Sequence, residues 1–116
     1  MNTIIKRKFI ISRVLINNGY KLIPSRIYDV CEICIIKNDI EFFKFISDNY
    51  HHLIDDKLLL KSVLKVCIDY NNLEFIKFIF QNYLIDLKIS NDIRKTCKNL
   101  GNKYKNISEY LNKLII

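Results

Sequence analysis

Residues 34–50 read CIIKNDIEFFKFISDNY, and residues 67–83 read CIDYNNLEFIKFIFQNY; the two agree at ten of seventeen positions without a gap, at an offset of 33 residues. Agreement of that length at one fixed spacing marks an internal duplication. A period in this range signals stacked supersecondary units, each burying its apolar face against the next. The spacing therefore predicts a repeat architecture and, with it, a binding role.

Working upstream, Ile27, Val30, Cys31 and Cys34 stand at offsets 0, 3, 4 and 7, and Leu60, Val63, Leu64 and Cys67 repeat those offsets. That is one face of an α-helix. Inside the duplicated block a second helical face is predicted from Ile40, Phe43, Phe45 and Ile46 in one copy and Leu73, Ile76, Ile79 and Phe80 in the other, with Lys44 and Lys77 pointing elsewhere. Phe42, Phe75 and Phe78 are assigned to the same packing. Each unit is thus a pair of helices.

The chain must reverse between paired helices within a few residues, which calls for a positive φ, and Asn38 and Asn71 occupy that point. A similar stop after the second helix is expected at Asn49, Asn82 and, near the start, Asn18 with Gly19. Asp55 or Asp56 is the expected cap of a helix beginning near Lys57, and Ser90 or Asn91 of one beginning near Asp92.

These residues resemble the ankyrin repeat. A typical unit of that family reads TPLH, then two small residues and a turn, then LEIVKLLL and a finger. Asn38-Asp39-Ile40-Glu41-Phe42-Phe43-Lys44-Phe45-Ile46 and Asn71-Asn72-Leu73-Glu74-Phe75-Ile76-Lys77-Phe78-Ile79 match its second helix. The TPLH positions instead hold Asp29-Val30-Cys31-Glu32 and Ser62-Val63-Leu64-Lys65, so the Thr and His that brace the usual turn are missing. Divergent repeats of this kind are similar to those in the ankyrin families of large DNA viruses.

The resemblance implies an all-α, ankyrin-like solenoid of stacked helix-turn-helix repeats, about three units with degenerate ends. The expected division is a single domain: a degenerate cap over residues 1–24, repeats over 25–56 and 57–89, and a degenerate final unit over 90–116. The last unit is drawn from Thr96-Cys97-Lys98-Asn99-Leu100-Gly101-Asn102 and Ile107-Ser108-Glu109-Tyr110-Leu111, with Cys97 thirty residues after Cys67. Ile11-Ser12-Arg13-Val14-Leu15-Ile16-Asn17-Asn18-Gly19 reads as an outer helix and its stop.

Composition agrees with helices. Half of the 116 residues are hydrophobic, while two Gly and one Pro are too few for the tight turns of an all-β chain. No window holds the roughly 18 apolar residues that span a bilayer, and Lys6, Arg7 and Lys8 interrupt the N-terminal apolar stretch where a secretory signal would run unbroken. The chain is expected to be intracellular and cytoplasmic, not secreted, in the host cell if viral, with its four Cys as thiols. The net charge of +7 is uneven: residues 1–26 hold six Lys or Arg and no acid, residues 27–87 six against ten acids, and residues 88–116 seven against two. Basic ends can attract nucleic acid or an acidic protein face; solvated Lys on helix surfaces is the plainer account.

Candidate chemistry is sparse. Cys31 and Cys34 form a C-x-x-C pair, the spacing of redox sites and of half a zinc site, but Cys67 and Cys97 are single. Cys34, Cys67 and Cys97 fall where ankyrin units place a small Ala, so they read as small hydrophobes. His51 and His52, with Asp55 and Asp56 nearby, read as an exposed loop tip rather than a metal cluster, since adjacent side chains diverge. No Ser-His-Asp set, H-E-x-x-H or Gly-rich phosphate loop is present, and no metal or cofactor is expected. Tyr20 beside Lys21, and Tyr104 between Lys103 and Lys105, are the residues placed to stack on bases.

The sequence is therefore read as a non-catalytic protein-protein interaction module, a viral protein engaging a host protein. By register, Tyr28, Asp29, Glu32, Lys61 and Lys65 fall on the exposed side of the inner helices and His51 and His52 at the fingers, together forming the partner surface. Leu114-Ile115-Ile116 offers an apolar edge for a partner or a second copy. Two rivals stand beside this reading: a basic nucleic-acid-binding helical protein, which would release its ligand steeply with salt, and a thiol redox protein using Cys31 and Cys34, which would need a lowered thiol pKa.

Overall fold

The computed structural model describes residue 10 and residues 13–114, and every regular element among them is helical, with no strand. A helical segment at residues 13–17 is followed by a 3-10 turn, Pro24–Arg26, and by α1 (Ile27–Ile36), α2 (Ile40–Ile54), α3 (Lys57–Asp69), α4 (Leu73–Asn82) and α5 (Leu87–Leu100). A second 3-10 turn, Asn102–Tyr104, leads into α6 (Lys105–Lys113). The chain divides into two units, with the boundary between Ile54 and Asp55.

In the first unit α1 packs on α2. The reversal between them takes very few residues because Asn38 adopts a left-handed conformation, φ 55°. The N–H of Asn38 donates to the Ile35 carbonyl at 3.0 Å and that of Asp39 to the Cys34 carbonyl at 2.9 Å, the paired bonds that close a helix around a left-handed residue. Asp39 then starts α2 by accepting from the Phe42 N–H at 3.0 Å. Arg13 also ion-pairs with Asp39, and its guanidinium lies 5.4 Å from the centre of the Phe42 ring, which fastens the N-terminal helical segment to this turn.

The second unit holds two helix pairs. Its first turn repeats the pattern just described: Asn71 has φ 51°, Asn71 N–H donates to Ile68 at 2.9 Å, Asn72 N–H to Cys67 at 2.8 Å, and Asn72 caps α4 through the Phe75 N–H at 3.3 Å. Here α3 packs on α4 and on α5, α4 packs on α6, and α5 packs on α6. Lys77 of α4 places its ammonium 5.6 Å from the centre of the Tyr110 ring on α6. Ile89, Ile93 and Cys97 form the buried stripe of α5, and Ile107 and Leu111 that of α6. From Cys67 to Phe75 is eight residues, while from Cys97 to Ile107 is ten. The longer turn at Gly101, φ 89°, with the 3-10 turn after it, takes up that difference.

Burial follows the 33-residue register. Ile27 and Leu60, Val30 and Val63, Cys31 and Leu64, Cys34 and Cys67, Ile35 and Ile68, Phe42 and Phe75, Phe43 and Ile76, and Ile46 and Ile79 are buried as pairs. Each such aliphatic or aromatic side chain removed from water contributes about 1.5–3 kcal/mol, so both units draw on the same set of positions for their cores.

Three sequence expectations are corrected. Phe45 belongs to the exposed side, at 39% accessibility, stacked on Phe42 with ring centres 6.2 Å apart. The buried residues of α2 are Phe42, Phe43, Ile46, Ser47 and Ile54, and at about 100° per residue Phe45 is turned well away from that stripe. The second stop is not a left-handed residue at Asn49 or Asn82. Their side-chain amides instead donate to the carbonyls of Phe45 and Phe78, each at 2.8 Å, as Asn18 does to Val14 at 2.8 Å, and the backbone leaves the helix one residue later. There both residues leave helical geometry with a negative φ, Tyr83 extended at φ −132° and ψ 144° and Tyr50 kinked at φ −131° and ψ 31°; α4 ends at that point, whereas α2 resumes after the kink and reaches Ile54. Gly19 is left-handed, φ 93°, as expected.

Helix α5 starts at Leu87 rather than near Asp92. Its cap is Asp86, which accepts from the Lys88 N–H at 2.7 Å, so Ser90 is a buried residue within the helix and Asn91 lies further along it. The more upstream carboxylate wins because it lets Ile89 join Ile93 and Cys97 on one stripe. The other cap is as read: Asp56 accepts from the Leu59 N–H at 3.0 Å and α3 begins at Lys57.

Candidate functional site

Within the first unit, α1 carries Tyr28, Asp29 and Glu32 at offsets 0, 1 and 4. The Tyr28 hydroxyl donates to the Glu32 carboxylate at 3.1 Å, so these half-buried side chains form one amphipathic patch. Asp29 is exposed and pairs with Arg26 at 3.4 Å; lying in the first turn of α1, it also opposes the helix dipole. His51 and His52 are exposed, yet they sit in the last turn of α2, not in a loop, because the helix resumes after Tyr50. The kinked Tyr50 is anchored by its phenol oxygen, which accepts from the Leu22 N–H at 2.9 Å.

Within the second unit, Lys61 and Lys65 are exposed one turn apart on α3. Lys61 lies 3.9 Å from the Asp92 carboxylate of α5, a pair too open to water to contribute much stability. Lys65 has no carboxylate within ion-pairing distance among the described residues.

All four cysteines are buried thiols, none of them in a disulfide among the described residues. Burial pushes the Cys31 thiol up to about 12. The Cys34 thiol is raised as well, first by burial, then by its neighbours Cys31 and Asp39, with Arg13 opposing. A nucleophilic or redox-active cysteine needs an accessible thiolate at neutral pH; these sites favour the protonated form and exclude solvent. Among the described residues no three His, Cys, Asp or Glu side chains converge to hold a metal ion.

Of the two tyrosines placed to stack on bases, Tyr20 is 65% exposed, but Tyr104 is buried at 8% accessibility. Its position in the 3-10 turn directs it into the core of the second unit, and only the Lys103 ammonium, 5.6 Å from its ring centre, marks the outside. Leu114 is 44% exposed; Ile115 and Ile116 lie outside the described residues. No helix among the described residues is long and apolar enough to cross a membrane.

One feature escaped the reading of the sequence. Asn91, Arg94, Lys95 and Lys98 of α5 face Ser108 and Asn112 of α6 across a half-open groove of about 610 Å³. The Arg94 guanidinium is hydrogen-bonded by the Asn91 side-chain oxygen, and its Nε is buried without an acceptor among the described residues. In the sequence these cations look like any solvated helix face; the i, i+4 spacing of Arg94 with Lys98, and of Ser108 with Asn112, was the available signal.

Compared with protein-family models, with curated proteins and with solved structures, the chain matches none.

Proposed function

We propose that the chain is a non-catalytic protein-interaction module, a short ankyrin-like stack of helix-turn-helix units. The observation that carries this reading is the agreement of backbone and burial at a stride of 33 residues, from Asn38 and Asn71 at the turns to Cys34 and Cys67 in the core. The packing of α3 on α5 and of α4 on α6, inner helix on inner and outer on outer, is also how such arrays propagate. Repeats of this type bind through side chains left on the open side of their inner helices and at their tips, and a few anchors dominate affinity. Tyr28, Asp29, Glu32, Lys61, Lys65, His51 and His52 are the residues assigned to that role. The resemblance to viral ankyrin families makes a host protein the expected partner.

Affinity capture from a host-cell lysate tests the reading, with the full chain compared against the Lys61→Glu, Lys65→Glu double variant. Loss of a specific protein from the variant's eluate, at unchanged helicity and melting temperature, supports it. Identical eluates from both proteins, or retention of nucleic acid that falls steeply with added salt, would overturn it.

A further inference from the structure

The groove between α5 and α6 plays no part in the partner surface just assigned, and its charge is unbalanced. Arg94, Lys95 and Lys98 gather three cations within about one helical turn. The acids nearest in sequence are engaged elsewhere: Asp92 faces Lys61 and Glu109 faces Lys105, each at 3.9 Å. Asn91 holds the Arg94 guanidinium in place, while Arg94 Nε is out of water and has no acceptor among the described residues. A partly desolvated cation with no counter-ion is unfavourable, and an anion seated beside it relieves that cost. Ser108 and Asn112 line the opposite wall with a hydroxyl and an amide.

We propose that this groove is a binding site for a phosphate monoester. Such a group carries about −1.5 to −2 charges and three acceptor oxygens, which suits one guanidinium fork, two ammonium groups and neutral donors across the groove. A nucleic acid fits less well. The lining contains no aromatic ring on which a base could stack, and the cations are confined to one short stretch of α5. The same chemistry can arrive on a free solute or on a phosphorylated side chain of a protein partner; the second source rests on the interaction reading above.

The test is titration of the isotope-labelled full chain with O-phospho-L-serine and, separately, with a short neutral peptide carrying one phosphoserine, monitored through backbone amide resonances. Unphosphorylated serine and a single-stranded oligonucleotide complete the set. The expected result is saturable shifts confined to residues 91–98 and 108–112, with affinity on the order of tenfold lower in R94Q and in K98Q. Lys98 is exposed, so K98Q does not threaten the fold. Tighter binding of the peptide assigns the site to a protein partner, and preference for the free amino acid to a solute; both uphold it. The proposal fails if neither phosphate gives saturable shifts, if R94Q and K98Q bind as the parent does, or if the oligonucleotide competes best. Its failure leaves any capture that depends on Lys61 and Lys65 untouched, so the two readings fall separately.

Discussion

Asn38 and Asn71, 33 residues apart, share a left-handed backbone with φ 55° and 51°, and each is followed by a residue that caps the next helix. A side chain with a Cβ is disfavoured there by roughly 1 kcal/mol, Asn less than most, and Gly not at all. Substituting either residue by Ala should therefore lower stability by about 1 kcal/mol, whereas Gly, whose freedom at positive φ is offset by its greater unfolded-state entropy, should leave it unchanged to within a few tenths, with matching effects at the two sites. Urea denaturation of the four variants checks this. Unequal Ala penalties would show that the two turns are not equivalent.

The two neighbouring phenylalanines of α2 differ sharply in environment, since Phe43 is fully buried and Phe45 is 39% exposed. Phe43→Ala should cost about 3–5 kcal/mol through loss of burial and a residual cavity. Phe45→Ala, which removes chiefly the stacking on Phe42, should cost about 1 kcal/mol. Chemical denaturation with a common baseline separates them, and similar losses would restore Phe45 to the core.

The start of α5 can be located by hydrogen exchange. Asp86→Ala removes the acceptor for the Lys88 N–H and should speed exchange of that amide, whereas Ser90→Ala should leave it unchanged. The Asp86 carboxyl is held below its ordinary value first by the Lys88 N–H and then by Lys57. The sign follows: its contribution is present above the ordinary carboxylate range and is lost only as pH falls through the lowered value. The cap should therefore still protect Lys88 at pH 4.5, and protection that disappears there would contradict the assignment.

Which features were legible in the sequence has a physical basis. The turns were, because a left-handed position admits few residue types and Asn38 and Asn71 recur at the period. The inner face was, because Val30, Cys31 and Cys34 alternate with Asp29 and Glu32, which leaves one choice of stripe. The outer face was ambiguous: Phe42, Phe43, Phe45 and Ile46 are all apolar, so neighbouring stripes score alike until the facing helix selects one. The start of α5 was ambiguous for a related reason, since Asp86, Ser90, Asn91 and Asp92 are all able caps and only the burial of Ile89 decides among them. The groove at Arg94 was hidden because charge pattern alone does not say which cations have lost water. It became visible only once α6 brought Ser108 and Asn112 opposite.

Cys31 and Cys34 have pKa values raised above the ordinary 9.0, chiefly by burial, and Cys97 is raised by burial too. The folded state therefore holds these protons more tightly than the unfolded state does. Their stabilising effect is complete below pH 9, where thiols are protonated in both states, and is lost as pH rises, because the unfolded chain then ionises while the folded chain does not. Above pH 9 stability should fall by about 1.4 kcal/mol per pH unit for each thiol that stays protonated on folding. Replacing Cys31 by Ala should remove its share of that slope, measured by urea denaturation between pH 7 and 10.5. The same burial predicts negligible labelling of the native protein by a thiol reagent at pH 7.5, and complete labelling in urea. Rapid native labelling at Cys31 or Cys34 would instead place an accessible thiolate there, and with it the redox chemistry that the C-x-x-C spacing first suggested.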